Sequence, residues 1–217
     1  MTHPSSHAYL FDLDGTLLNT TPDIAYAVNV MRASEGLPAL TESEVERGVG
    51  RGATELILAT TPPRLHSRVQ ELREVFVTAY QGHLCVDTYP YEGAVKCLER
   101  LRREGMRVGL VTNKPERLAI QLLTQLGWLD LFEVKLYGDS LDERKPSPKP
   151  LFRALDLLNS TRERCVFIGD TEVDARAAQA AQVTFKATAW GRVAEAVARG
   201  EWGNSASVLT KFADLTP

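Results

Sequence analysis

The sequence predicts an α/β protein: a Rossmann-like parallel sheet with helices on its faces, and an all-helical segment inserted after the first strand. Three observations carry this expectation. Ala8-Tyr9-Leu10-Phe11 is a continuous uncharged, mostly apolar run, as expected of a strand buried on both faces of a parallel sheet. From Gly93 onward, short apolar runs alternate with segments of helical spacing, the pattern of successive βα units. Between these, residues 20–82 show helical spacing and no strand pattern. The expected division is therefore 1–19 with 83–217 as the α/β core and 20–82 as the helical insertion.

In chain order, residues 1–7 read as a disordered tail before the first strand. Thr20-Thr21-Pro22-Asp23 has the marks of a helix start: a hydroxyl cap, proline in the first turn and an acid at the positive end. Ile24, Val28 and Met31 form its apolar stripe, and Gly36 and Pro38 end it. Thr41-Glu42-Ser43-Glu44 matches a capping box. Gly48, Gly50 and Gly52 break the chain around Arg51. A short helix is expected over Ala53 to Ala59. A longer one follows Pro62-Pro63, with Leu65, Val69, Leu72, Val75, Phe76 and Ala79 at helical spacing.

In the core, helix is expected around Ala94, Leu98 and Leu101, then from Pro115 to Leu126, Pro148 to Leu158 and Glu172 to Ala181. Strands are expected at Met106 to Val111, Val134 to Tyr137, Cys165 to Ile168 and Val183 to Ala187. An edge strand and a short helix are expected from Ser207. No internal repeat or low-complexity segment interrupts this pattern.

Composition narrows the functional class. The 217 residues are enough for one large domain, or for a core with a smaller insertion. With 25 basic and 28 acidic residues the net charge is −3, so no basic surplus points to nucleic acid. No apolar run approaches a membrane span, and Met1 to His7 lacks the apolar stretch of a secretory signal. Cys85, Cys97 and Cys165 are scattered, without metal-ligand spacing. A cytoplasmic protein is the expectation. The histidines at 3, 7, 66 and 83 form no motif and read as surface residues.

The chemistry concentrates where apolar runs end. Asp12-Leu13-Asp14-Gly15 follows the first strand, and open α/β sheets bind ligands at the carboxyl ends of their strands. If the strand continues to Asp14, both carboxylates face one volume; if it turns there, which Gly15 permits, the loop decides. Two adjoining carboxylates repel unless a cation joins them, and Mg²⁺ is the hard cation for oxygen ligands. Asp-x-Asp-Gly is equally a simple turn. A calcium loop does not match, because Gly15 falls one residue early and position 17 is leucine.

Three further strand ends carry polar groups. Thr112-Asn113-Lys114-Pro115 reads as a cap for the next helix and, compatibly, offers Thr112 to a phosphoryl oxygen and Asn113 to the substrate or the nucleophile. Lys145, in a loop that the prolines of Lys145-Pro146-Ser147-Pro148 would fix, is either solvated or offsets the repulsion between two anions. Gly169-Asp170-Thr171-Glu172-Val173-Asp174 either caps a helix or supplies Asp170 to a metal. Asp174, one helical turn on, could then face the same site through a water.

Taken in order, Phe11-Asp12-Leu13-Asp14-Gly15-Thr16-Leu17, Thr112-Asn113, Lys145-Pro146 and Gly169-Asp170-x3-Asp174 resemble the four motifs of the haloacid dehalogenase (HAD) superfamily over residues 8–188. Val111-Thr112-Asn113-Lys114-Pro115 and Lys145-Pro146-x-Pro148 look like its phosphoglycolate phosphatase-like branch, as does a helical cap placed directly after the first motif. Ala180-Ala181-Gln182 departs from the usual Ala-Gly.

The resemblance implies a Mg²⁺-dependent phosphatase for a small-molecule phosphate ester, working through an aspartyl phosphate. Asp12 would be the nucleophile and Asp14 the acid–base. Asp12, the backbone carbonyl of Asp14 and Asp170 would be the metal ligands, while Thr112, Asn113 and Lys145 would bind phosphate or substrate. Arg51 is the cap residue suggested to enter the site, a flexible surface arginine being the equal alternative. A phosphomutase of the β-phosphoglucomutase type and a non-catalytic binding protein on the same scaffold are the alternatives; Asp14 argues against a dehalogenase. No nucleic acid or membrane partner is implied, and no oligomeric state.

Overall fold

The computed structural model describes residues 7–215. The tail expected over residues 1–7 lies outside them except for His7, and His3 lies outside them altogether. At the centre is a six-stranded sheet. Its strands are β1 (Ala8–Phe11), β4 (Arg107–Val111), β5 (Val134–Leu136), β6 (Cys165–Gly169), β7 (Thr184–Thr188) and β8 (Ala206–Leu209). Their spatial order is β5-β4-β1-β6-β7-β8, and every pairing is parallel. Strand β1 is central and buried throughout, which explains why it is written as an unbroken apolar run rather than an alternating one.

Successive β1 residues serve opposite cores. Tyr9 and Phe11 pack on one face with Leu98 and Leu122, while Ala8 and Leu10 pack on the other with Leu151 and Ala178. The helices behind these contacts are α5 (Ala94–Arg103), α6 (Glu116–Gln125), α7 (Lys149–Leu157) and α8 (Glu172–Ala181). The register sets Phe11 beside Leu110 and Ile168. Asp12 therefore leaves the sheet between the ends of β4 and β6.

After β1 the chain makes a two-residue strand β2 (Leu18–Asn19), which pairs antiparallel with β3 (Tyr89–Pro90). Between them lie α1 (Thr21–Ser34), α2 (Glu42–Glu46), α3 (Ala53–Thr60), a 3₁₀ turn (Pro63–Arg68) and α4 (Val69–His83). Leu72, Phe76 and Tyr80 recur every four residues along α4 and form its buried stripe. The capping box at α2 is present: Thr41 Oγ1 accepts from the Glu44 N–H, and Glu44 accepts from the Thr41 N–H.

Several expectations need correction. Thr20 precedes α1 but its side chain does not cap it. Asp23 does not serve merely as an acid at a helix start. It is fully buried and accepts the backbone N–H groups of Val86, Asp87 and Thr88 and the Thr88 hydroxyl, at 2.7–3.1 Å. Asp23 thereby ties the start of α1 to the chain as it returns from α4. His83 is not a free surface residue either: it stacks on Tyr26 at 3.7 Å, with Nε2 3.6 Å from Asp23. Val75 sits on the exposed side of α4, and the segment around Leu65 is 3₁₀ rather than α. The β2–β3 ribbon and α9 (Ala194–Ala198) have no counterpart in the sequence reading. Among the described residues, no helix is long and apolar enough to cross a membrane.

Candidate active site

The Asp12 N–H donates to the Ile168 carbonyl at 2.9 Å, the last rung of the ladder. The chain then turns, with the Leu17 N–H donating to the Leu13 carbonyl at 3.0 Å and the Gly15 N–H to the Leu18 carbonyl at 2.8 Å. The turn is thus the realised alternative, and the two carboxylates diverge. Gly15 has φ +84°, and a Cβ there would lie 2.3 Å from Asp170 Oδ2. Only glycine both adopts this conformation and lets Asp170 approach.

Asp12 is buried, and Lys145 Nζ stands 2.8 Å from its Oδ1. That contact lacks the angle of a hydrogen bond, and Oδ1 has no hydrogen-bond partner. Lys145 donates instead to the Val111 carbonyl and to Asp174 Oδ1, both at 2.7 Å. At 2% exposure it is not a solvated lysine. Asp174 is its second anchor. Asp174 Oδ2 accepts from the Asp170 and Thr171 N–H groups and from the Thr171 hydroxyl, closing a capping box at the start of α8. Capping and site-building are therefore the same arrangement here. Asp170 Oδ1 accepts from the Thr16 hydroxyl at 2.7 Å.

Asp12, Asp170 and Asp174 place carboxylate oxygens within 4.8 Å of one another. Of these three buried acids, Asp12 and Asp174 share the Lys145 ammonium, and the proton affinities at the site respond. Burial, joined by the charges of Asp174 and Asp14 and opposed by Lys145, pushes Asp12 up to about 7. Burial and then the Asp174 and Asp12 charges hold Asp170 well above the carboxylate range. Burial works against the Lys145 charge, but Asp12 and Asp174 outweigh it and raise its pKa. An excess of buried carboxylate, an Asp12 oxygen without a hydrogen bond, and space kept by Gly15 together fit a hard divalent cation with oxygen ligands. A second group, Asp23, His83 and Asp87, also converges. There, however, the Asp23 carboxylate is occupied by the four donors described above.

Asp14 turns toward the helical segment. Its Oδ1 accepts from the Thr20 hydroxyl at 2.7 Å and from Lys114 Nζ at 2.9 Å. Thr112 stands at the end of β4, and its hydroxyl accepts from the Lys114 N–H. Asn113 is spent on the scaffold: its Nδ2 donates to the carbonyls of Lys145 and Gly50, at 2.8 and 3.0 Å. It joins the lysine-bearing loop to the glycine-rich loop of the helical segment, rather than presenting a free donor to a ligand. Arg192 makes the same kind of join through the carbonyls of Glu46 and Val49. A cavity of ≈ 40 Å³ lies between the two layers, lined by Asp12, Asp14, Thr112 and Lys114 below and by Leu56, Phe76 and Tyr80 above.

The structure therefore gathers Asp12, Asp14, Thr112, Asn113, Lys145 and Asp170 at the sheet's carboxyl edge. It does not bring Arg51 with them. The Arg51 side chain is 60% exposed, lies 3.9 Å from Glu172, and lines a surface cleft that Lys145 also borders, outside the cavity that holds Asp12 and Asp14. Sequence reasoning missed Thr16, Lys114 and Tyr80. Lys114 had a visible signal, a charge directly after a strand-end Thr-Asn pair. Tyr80 extends the Leu72–Phe76 spacing, but nothing in that stripe marks its hydroxyl.

Residues 9–188 match the family described as haloacid dehalogenase-like hydrolase, and the chain belongs to that family. Among its relatives, the phosphoglycolate phosphatase of Xanthomonas campestris pv. campestris is 40% identical over 85% of this chain and 83% of its own. The N-acetylmuramic acid 6-phosphate phosphatase of Pseudomonas aeruginosa is 35% identical, over 90% and 87%. A solved structure described as a predicted phosphoglycolate phosphatase from Haemophilus somnus superposes with a TM-score of 0.86. It is 27% identical and covers 96% of both chains.

Proposed function

We propose that this protein is a Mg²⁺-dependent phosphatase that hydrolyses a small phosphate monoester, phosphoglycolate or a close analogue, through phosphorylation of Asp12. The observation that carries the reading is the meeting of Asp12 with Lys145 at 2.8 Å inside a buried cluster of acids. A nucleophilic carboxylate attacking an anionic phosphoryl group needs positive charge at the point of contact.

Asp12 attacks phosphorus, and the bond to the leaving oxygen breaks as that oxygen takes a proton from Asp14. A water then attacks the acyl phosphate and gives its proton to Asp14, releasing phosphate and restoring Asp12. Thr112 holds a phosphoryl oxygen through its hydroxyl. Lys145 offsets charge where substrate and Asp12 meet. Mg²⁺, held by Asp12, Asp170 and the Asp14 carbonyl, would supply the remaining charge and polarise a phosphoryl oxygen. The helical segment, residues 20–82, acts as the cap that excludes water and selects the leaving group.

The apolar wall of Leu56, Phe76 and Tyr80 faces Asp12 and Asp14 across the cavity, and with a phosphoglycolate phosphatase among the relatives a short hydroxy acid is the leaving group we favour over a hexose. Three cysteines without disulfides, two of them buried, support a reducing, cytoplasmic setting. The test is a panel of phosphate monoesters assayed with Mg²⁺ and with chelator, including phosphoglycolate, a hexose 1-phosphate and N-acetylmuramate 6-phosphate. Metal-dependent release of phosphate, greatest for the short ester, is expected. Turnover that persists in chelator, or no turnover on any ester, would overturn the assignment.

A further inference from the structure

Lys114 is a buried cation to which the two-step reaction gives no task. Its Nζ donates to Asp14 Oδ1 at 2.9 Å and to the Tyr80 phenol oxygen at 2.7 Å, and it lies 4.6 Å from the Tyr80 ring centre. Lys114 comes from the sheet and Tyr80 from α4, so the contact bridges the layers on either side of the cavity. Burial pushes Tyr80 up to about 12, so it stays a neutral phenol. Both side-chain donors to Asp14, Lys114 and Thr20, fall on Oδ1. Oδ2 is therefore the oxygen left free to face a leaving group.

We propose, resting on the phosphatase reading above, that Lys114 and Tyr80 are positioning residues for proton transfer. Tyr80 fixes the Lys114 ammonium, Lys114 fixes Asp14 Oδ1, and Oδ2 is thereby aimed at the leaving oxygen. As the Asp12–phosphorus bond forms and the phosphorus–oxygen bond breaks, the leaving alkoxide takes the Oδ2 proton and Asp14 is left as a carboxylate beside Lys114. Because Tyr80 is carried by the helical segment, alignment is complete only when that segment is seated on the core. Proton donation is thereby coupled to exclusion of water.

The experiment uses Tyr80→Phe, which keeps the ring and removes only the hydroxyl, with Lys114→Met as the second variant. Substrates are ethyl, 2-fluoroethyl and 2,2,2-trifluoroethyl phosphate, which have similar shapes but increasingly acidic leaving alcohols. The value of kcat/KM reports the first, proton-requiring step. Tyr80→Phe should cost ethyl phosphate about tenfold more than trifluoroethyl phosphate, a modest share of the 10²–10⁴ that general acid catalysis supplies. Lys114→Met should steepen the dependence further. Equal losses across the series would overturn the proposal, as would no loss, or variants that fail through lost folding by thermal melting. Absence of turnover by the unsubstituted protein would instead refute the phosphatase reading.

Discussion

Asp12→Asn separates the chemistry of the site from the stability of the fold, because the two should move in opposite directions. The amide keeps the shape but cannot attack phosphorus, so turnover should disappear. Stability follows from where the proton resides. An Asp12 pKa of about 7 in the fold, against an ordinary 3.8, means that the folded state keeps a proton which the unfolded chain gives up first. Without metal, the wild-type fold should therefore lose stability as pH rises from about 4 to 7, and level off above that. The difference of about three units, at roughly 1.4 kcal/mol each, sets an upper value of ~4 kcal/mol. Asn carries no such titration. At pH 8 in chelator, Asp12→Asn should melt several degrees higher than wild type, taking about 2–4 °C per kcal/mol for a chain of this size; at pH 4 the gap should close. Mg²⁺ should stabilise the wild type more than the variant, since a ligand of the folded state adds stability in proportion to its affinity. Differential scanning calorimetry across pH 4–8, with and without metal, reads all of this. A variant less stable than wild type at pH 8 without metal, or with the same pH slope, would refute the claim that Asp12 is held as an excess buried acid.

Lys145→Met removes the one ammonium between Asp12 and Asp174. It should abolish turnover and cost roughly 3–5 kcal/mol at neutral pH, the usual loss on breaking a buried pair, with the stability loss shrinking in acid; denaturant melts at pH 5 and 8 check both. Gly15→Ala forces a methyl to within 2.3 Å of Asp170 Oδ2 at φ +84°. It should lower metal affinity by calorimetric titration and cost about 1–3 kcal/mol in backbone strain alone. Arg192→Met releases the carbonyls of Glu46 and Val49, so KM for a short ester should rise while bulkier esters gain relative to it. Arg51→Ala, on the exposed rim, should change kcat/KM by less than about twofold, in line with the small worth of surface ion pairs.

What the sequence revealed, and what it hid, follows from the range of the forces involved. Strand β1 was legible because burial on both faces writes itself as an unbroken apolar run. Capping at Thr41–Glu44 was legible because its partners are three residues apart. The meeting of Asp12 and Asp170 was legible because each directly follows a strand, and a parallel sheet gathers strand ends at one edge whatever the intervening chain does; Lys145 lies nine residues beyond β5, in the loop before α7. Asn113 is readable as a position, but what its amide nitrogen holds is not. Its amide is taken up by two carbonyls, Lys145 and Gly50, that lie far away in the chain. Arg51 was suggested by the glycines around it, yet the backbone of that loop faces the core through Gly50, while the Arg51 side chain points to Glu172. Tyr80 was hidden because helical periodicity reports which face is buried, not what a phenol at the end of that face touches. Its partner is set by how α4 lies over the end of β4, a packing relation between elements separated by 34 residues at Lys114. Residues that act from the sheet's edge can be read from their place in the chain, whereas residues that act across the two layers become visible only once the layers are assembled. The Tyr80–Lys114 contact belongs to the second kind, as do Asn113 with Gly50 and Asp14 with Thr20: in each, a motif-bearing loop meets a partner that only the assembled layers reveal.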